Sequence, residues 1–228
     1  MAYFAKTFFT NTDRFYDAES DTLLPCFFEK LGEVSEARRA RVERVRSNIS
    51  KAELLVSELL RDYALKEVFG IDKPDITIGE NGKPLLSGEI DKFFNISHSG
   101  RMIICTVSDT DCGVDIENTA SRCDLMNIAG RFFSVPEQNA IMMSPDPKVA
   151  FCRLWTIRES YVKMRGTGFS IGLKALRCDF HHGKASIFEN EVMQDDAFFN
   201  EIKNICGYRA CVCTRYEAEH EITEIQLA

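Results

Sequence analysis

The sequence predicts an α+β fold, because strands and helices mix along it without a βαβ rhythm. Three observations carry that expectation. One strongly periodic helix stands in the first half, from Ser50 to about Gly70. A second stands in the other half, from Val149 to Arg165. Short alternating segments separated by turn residues fill most of the remainder.

Taken in order, residues 2–9 read as a strand, and a polar stretch of helical character follows as far as Arg46. Ser50-Lys-Ala-Glu53 has the S-x-x-E form of a capping box. Ala52, Leu55, Val56, Leu59 and Tyr63 then recur at helical spacing, so one face is predicted to be buried. Gly70 and Pro74 end the helix. Asn81-Gly82 marks a turn. Strands are predicted over 93–97 and 102–108 around Ser99-Gly100, and again over 112–117 after an Asp109–Asp111 turn. Ser134-Val-Pro-Glu137 is a second capping box, and Gly166 closes the 149–165 helix. From Leu173 to Leu227 the pattern is of short strands. A boundary near Asp109–Cys112 divides the chain into 1–110 and 111–228.

The chain has 228 residues, 45% hydrophobic and 28% charged, which is ample for a packed core. Its net charge of -7 argues against a globally basic nucleic-acid binder. Arg38, Arg39, Arg41, Arg44 and Arg46 form a local basic run, which suits a solvated helix face or a phosphate site. The nine cysteines contain no C-x-x-C pair, and they read as reduced small hydrophobes, not as a disulfide frame or zinc site. No basic leader and no membrane-length apolar window is present, so a cytoplasmic chain without membrane contact is expected.

Three constellations carry possible chemistry. In Gly113-Val-Asp115-Ile-Glu117 the carboxylates alternate with apolar residues. On a strand both project from one face, roughly 6.6 Å apart. Such like charges favour a bound cation, and hard oxygen donors suit Mg²⁺. A half-exposed acidic strand would read the same. Trp155, Glu159 and Lys163 share one helical face. They offer a third carboxylate and a cation for phosphate, or else an ordinary surface pair beside a core Trp. In Phe94-Asn-Ile-Ser97-His98-Ser-Gly100, small hydroxyl residues and a glycine flank a histidine. That arrangement lets a phosphate approach the backbone N–H groups.

Together with Gly82-Lys83-Pro84 and Arg131-Phe-Phe-Ser134, these segments resemble, in order and approximate spacing, the phosphopantetheinyl transferases of the larger, Sfp type. The resemblance is dense from about Asn81 to Gly168. It implies two related α/β halves packed as a pseudo-dimer, with coenzyme A in the cleft between them and a monomeric enzyme. It implies Mg²⁺ (or Mn²⁺) on Asp115, Glu117 and Glu159, and Lys163 at the leaving phosphate. Lys83, Pro84, Ser97 and His98 would bind the nucleotide, and Arg38 and Arg41 the 3′-phosphate. Glu159, directly or through a metal-bound water, would be the base for the serine of an apo acyl or peptidyl carrier protein. Fatty-acid, polyketide and nonribosomal-peptide carriers all remain open. Position 158 is Arg where the family commonly has Lys, and its role stays open. Glu137 reads as an auxiliary acid or simply as part of its capping box. The segment Thr119–Phe132, with Arg122, Leu125, Met126, Ile128 and Arg131, looks like a carrier-docking element. The length argues against the short, trimeric synthase type. A non-catalytic coenzyme A or carrier-binding homologue is the alternative, and it would be expected to lack one of Asp115, Glu117, Glu159 or Lys163.

Overall fold

The computed structural model describes residues 2–121, 124–168 and 172–227. The opening apolar run forms β1 (Tyr3–Asn11), followed by the two-residue strands β2 (Tyr16–Asp17) and β3 (Thr22–Leu23). The polar stretch after them is helical in two pieces, α1 (Pro25–Lys30) and α2 (Glu36–Arg44). The first long helix is α3 (Asn48–Phe69), and Gly70 ends it in the left-handed region. Its start differs from the expectation. Ser47, not Ser50, is the N-cap, and its hydroxyl accepts the Ser50 N–H. Tyr63 is 39% exposed, because the buried stripe runs through Leu60 and Ala64 instead.

A hairpin of β4 (Ile76–Ile78) and β5 (Pro84–Leu86) follows, turning at Asn81-Gly82. The predicted strands 93–97, 102–108 and 112–117 are β6 (Phe93–Ser99), β7 (Met102–Ser108) and β8 (Cys112–Asn118). Then come α4 (Leu125–Phe132), α5 (Val135–Met142) and α6 (Pro147–Arg165). Glu137 reaches back to the Ser134 N–H at 2.9 Å, as its capping sequence predicts. Gly166 closes α6, also left-handed. The rest is strand after a short 3-10 turn: β9 (Leu176–His181), β10 (Lys184–Glu189), β11 (Val192–Met193), β12 (Phe198–Ile202), β13 (Tyr208–Thr214) and β14 (Ala218–Glu224). Helices and strands are mixed as the sequence predicts, so the fold is α+β.

Two sheets organise the molecule. One has the order β14-β1-β7-β6, and α3 packs on it through Ala52, Leu55, Leu60, Phe94 and Ile103. The other has the order β12-β13-β8, and α6 lies against β8 and β13. A further three-stranded sheet, β11-β10-β9, flanks the second. The 110/111 division falls in the turn between β7 and β8, yet β14 returns to pair in parallel with β1.

The sheets meet at β6 and β8 without a main-chain ladder. Side chains at every second position of β6 bridge the seam instead. Asn95 Oδ1 accepts the Val114 N–H at 2.8 Å. Ser97 Oγ donates to Asp115 Oδ1 at 2.9 Å, and Ser99 Oγ to Glu117 Oε2 at 2.9 Å. Partners advance together along both strands, so β6 and β8 run in the same direction across the seam.

Candidate active site

Helix α6 reaches β8 over a glycine. A Cβ on Gly113 would lie 2.1 Å from the Ser160 carbonyl oxygen and 2.3 Å from the Met164 nitrogen. Both distances are far inside van der Waals contact, so any side chain here would lift the helix off the strand. Asp115, two residues on, projects from the same face of β8. On α6, Glu159 and Lys163 stand one turn apart and are brought to that face. Lys163 Nζ donates to Asp115 Oδ1 at 2.6 Å and to Ser97 Oγ at 2.9 Å.

Asp115 is buried, and its second oxygen, Oδ2, has no hydrogen-bond partner. Burial, and after it the Asp115 charge, push the Glu117 carboxyl up to about 7. Glu159 is also shifted upward, first by burial and then by Asp115, with Lys163 opposing. One ammonium thus faces three carboxylates in partly desolvated surroundings. Among the described residues, no three His, Cys, Asp or Glu side chains form a ready-made metal site. Lys163 holds Asp115, and Ser99 holds Glu117.

Beside this cluster lies a cleft of about 280 Å³, with Lys83, Pro84, Asn95, Glu159 and Lys163 in its walls. Of the residues expected to bind nucleotide, Lys83 and Pro84 therefore line it, and Ser97 stands behind Lys163. His98 does not join them. Alternation along β6 turns it to the face opposite Ser97, where its Nδ1 is 3.5 Å from Glu53 Oε1. Arg38 is bound by Glu58, Nε to Oε2 at 2.9 Å, and Arg41 is exposed on α2. Neither belongs to the cleft walls.

Trp155 packs in an aromatic cluster, stacked on Phe151 with centroids 5.7 Å apart, and is not in the cleft. In the segment expected to dock a carrier, Leu125 and Ile128 pack on the C-terminal core, while Met126 is 41% exposed. Arg131 is exposed, and Arg122 lies outside the described residues.

Arg158 and Glu137 turn out to be partners, which their separate readings do not reveal. Arg158 Nη2 donates to both Glu137 oxygens, at 2.7 and 2.6 Å. Its Nη1 donates to the carbonyls of Phe132 and Leu173. Glu137 Oε1 also accepts the Cys178 N–H at 2.9 Å. The roles of Gly113 and Asn95 also escape the sequence reading. The signal available was a glycine at the second position of the acidic strand, the one residue type that admits a helix backbone.

The superfamily profile of the 4'-phosphopantetheinyl transferases matches residues 111–215, the part holding β8 and α6. A 4'-phosphopantetheinyl transferase of Bacillus subtilis is 30% identical over 192 residues, covering 82% of this chain and 79% of the relative. The 4'-phosphopantetheinyl transferase psf-1 of Bacillus pumilus is 30% identical over 196 residues, covering 84% and 83%. The 4'-phosphopantetheinyl transferase Sfp of Bacillus subtilis (strain 168) is 28% identical over 187 residues, covering 80% and 83%. With matches spread over this much of its length, the chain belongs to the 4'-phosphopantetheinyl transferase superfamily, among its Sfp-type members.

Proposed function

We propose that the chain transfers 4′-phosphopantetheine from coenzyme A to a serine of an apo acyl, peptidyl or polyketide carrier protein, releasing adenosine 3′,5′-bisphosphate. The observation that carries this reading is Lys163 in the wall of a cleft, bonded at 2.6 Å to a buried carboxylate whose other oxygen is unpaired. Phosphoryl transfer asks mainly for positioning and charge neutralisation, and these residues offer both.

Mg²⁺, or Mn²⁺, fits the residues present. Their donors are hard oxygens, Asp115 Oδ2 lacks any partner, and three carboxylates outnumber one ammonium. Asp115, Glu117 and Glu159 would hold the ion. When bound, it would supply Lewis-acid neutralisation of the pyrophosphate. Lys163 stabilises the charge that develops on the leaving phosphate. Glu159, whose proton affinity is raised by burial, takes the proton of the carrier serine, directly or through a bound water. Ser97 orients Lys163 and Asp115 together. His98, Arg38 and Arg41, which lie outside the cleft walls, would meet the outer phosphate of the nucleotide, with Pro84 at its base.

A long helix on a sheet in each of 1–110 and 111–228 supports two related halves acting as a pseudo-dimer, with coenzyme A between them. A single chain then suffices, working as a cytoplasmic monomer without nucleic acid. Among the described residues, no helix is long and apolar enough to cross a membrane.

The test is mass spectrometry of a panel of apo carriers incubated with the protein, coenzyme A and Mg²⁺. One phosphopantetheine per carrier is expected. No gain on any carrier would overturn the proposal and favour a binding homologue without catalysis.

A further inference from the structure

Helix α6 has to hold Glu159 and Lys163 in register with β8, and its C-terminal end has carbonyls that no later turn can satisfy. Val162 and Lys163 share the Gly166 N–H. The next carbonyl, Met164, is satisfied from the other half of the chain. Lys83 Nζ donates to it at 3.0 Å and to the Cys112 carbonyl at 3.0 Å. One ammonium therefore joins the end of α6 to the start of β8. Asn81 Nδ2 adds a bond to the Gly166 carbonyl at 3.0 Å. The β4–β5 turn sits directly on the chain after the helix. A Cβ on Gly166 would lie 3.2 Å from Lys83 Cδ, and one on Gly168 would lie 3.4 Å from the Asn81 carbonyl oxygen.

We infer that Lys83 and Asn81 are positioning residues, and that the β4–β5 hairpin is a clamp on the C-terminal end of α6. A cation at a helix C-terminus is favoured by the helix dipole, and here it also meets two carbonyl lone pairs. Burial lowers the proton affinity of Lys83, which is the cost of placing this ammonium among main-chain carbonyls instead of in solvent. The same hairpin residues line the cleft. The wall against which a ligand would rest is thus bolted to the helix that holds Glu159 and Lys163. Lys83 accordingly acts on the reaction through α6. A phosphate-binding lysine would instead present its ammonium to the ligand as a point charge.

The inference is tested in the full chain with Lys83→Met and Asn81→Ala. The first measurement is amide hydrogen exchange without ligand. Both variants are expected to speed exchange at residues 160–168 by about tenfold, while α3 keeps its protection. Asn81 is exposed, so its variant retains the fold even if Lys83→Met does not. The second measurement rests on the transferase reading above: kcat is expected to fall about tenfold in Lys83→Met. Calorimetric Kd for adenosine 3′,5′-bisphosphate should stay within about threefold of the unaltered protein. Unchanged exchange at the end of α6 in both variants would overturn the clamp. So would a Kd raised about tenfold with kcat unchanged, which would make Lys83 a phosphate ligand. The exchange measurement does not depend on turnover, so failure of the transferase reading would leave it standing.

Discussion

Among the cations that helix α6 sends to carboxylates are Arg158 and Lys163, and their two pairs are built differently. Arg158 and Glu137 are 1% and 7% exposed at their side chains. Every acceptor direction of Glu137 is taken by Arg158, Ser134 or the Cys178 N–H. Lys163 and Asp115 are 27% and 6% exposed, and Asp115 keeps one oxygen unpaired beside two further acids. The first pair is closed and joins α5, α6, β9 and the end of α4. The second is open and stands at a cleft. Pairs of like composition, five residues apart on one helix, thus differ in how completely the carboxylate is satisfied, which predicts a structural role for the first and leaves the second open to a ligand.

The largest effect should come from breaking the closed pair. Arg158→Met leaves the Glu137 charge buried, and should cost about 3–5 kcal/mol in urea denaturation. Adding Glu137→Gln removes that charge while keeping an acceptor for Ser134 and Cys178. The double variant should recover about half of the loss. A cost under about 1 kcal/mol for the single variant would remove the distinction between the pairs.

Next is the open pair. Asp115→Ala and Lys163→Ala should lower turnover by about 10²–10³-fold, with circular dichroism and Tm little changed. Lys163→Ala should act on kcat more than on the KM for coenzyme A. A fall in Tm as large as that of Arg158→Met would show that this pair, too, is structural.

A smaller effect is the pH dependence of the open site. Glu117 titrates at about 7 in the fold against an ordinary 4.5. Its folded form binds the proton more tightly than its unfolded form. Its contribution to stability is therefore complete below 4.5 and is lost as pH rises to about 7. With chelator present, Tm should fall across that window, and Glu117→Gln should flatten the fall. A Tm rising equally in both proteins would contradict the shift.

The smallest effect belongs to the surface that the closed pair braces. Arg158 holds the Phe132 carbonyl, and so the end of α4, on which Met126 is exposed. Met126→Asp should raise the carrier KM a few-fold without changing that for coenzyme A. Equal changes in both would place the docking surface elsewhere.

Much of this was legible locally. Gly70 and Gly166 end their helices because a left-handed residue is needed there, and glycine provides it without strain. The seam strands and the acidic pair on β8 followed from a period of two. The start of α3 differs from the expectation because Ser47 and Ser50 both stand where a cap can form, and the choice depends on how the incoming chain packs. His98 and Ser97 are neighbours in sequence, yet neighbouring strand residues face opposite ways, so Ser97 meets Lys163 while His98 stands beside Glu53.

By itself the sequence determined the C-terminal ends of the two long helices and the strand alternation that puts Asp115 and Glu117 on one face, since each depends on residues within a turn or a strand of one another. The tertiary structure alone decided which charges pair. Arg158 finds Glu137 across 21 residues, Lys163 finds Asp115 across 48, and Lys83 finds Met164 across 81. Those choices follow from Gly113 admitting α6 against β8 and from burial removing the solvent that would otherwise satisfy each charge separately.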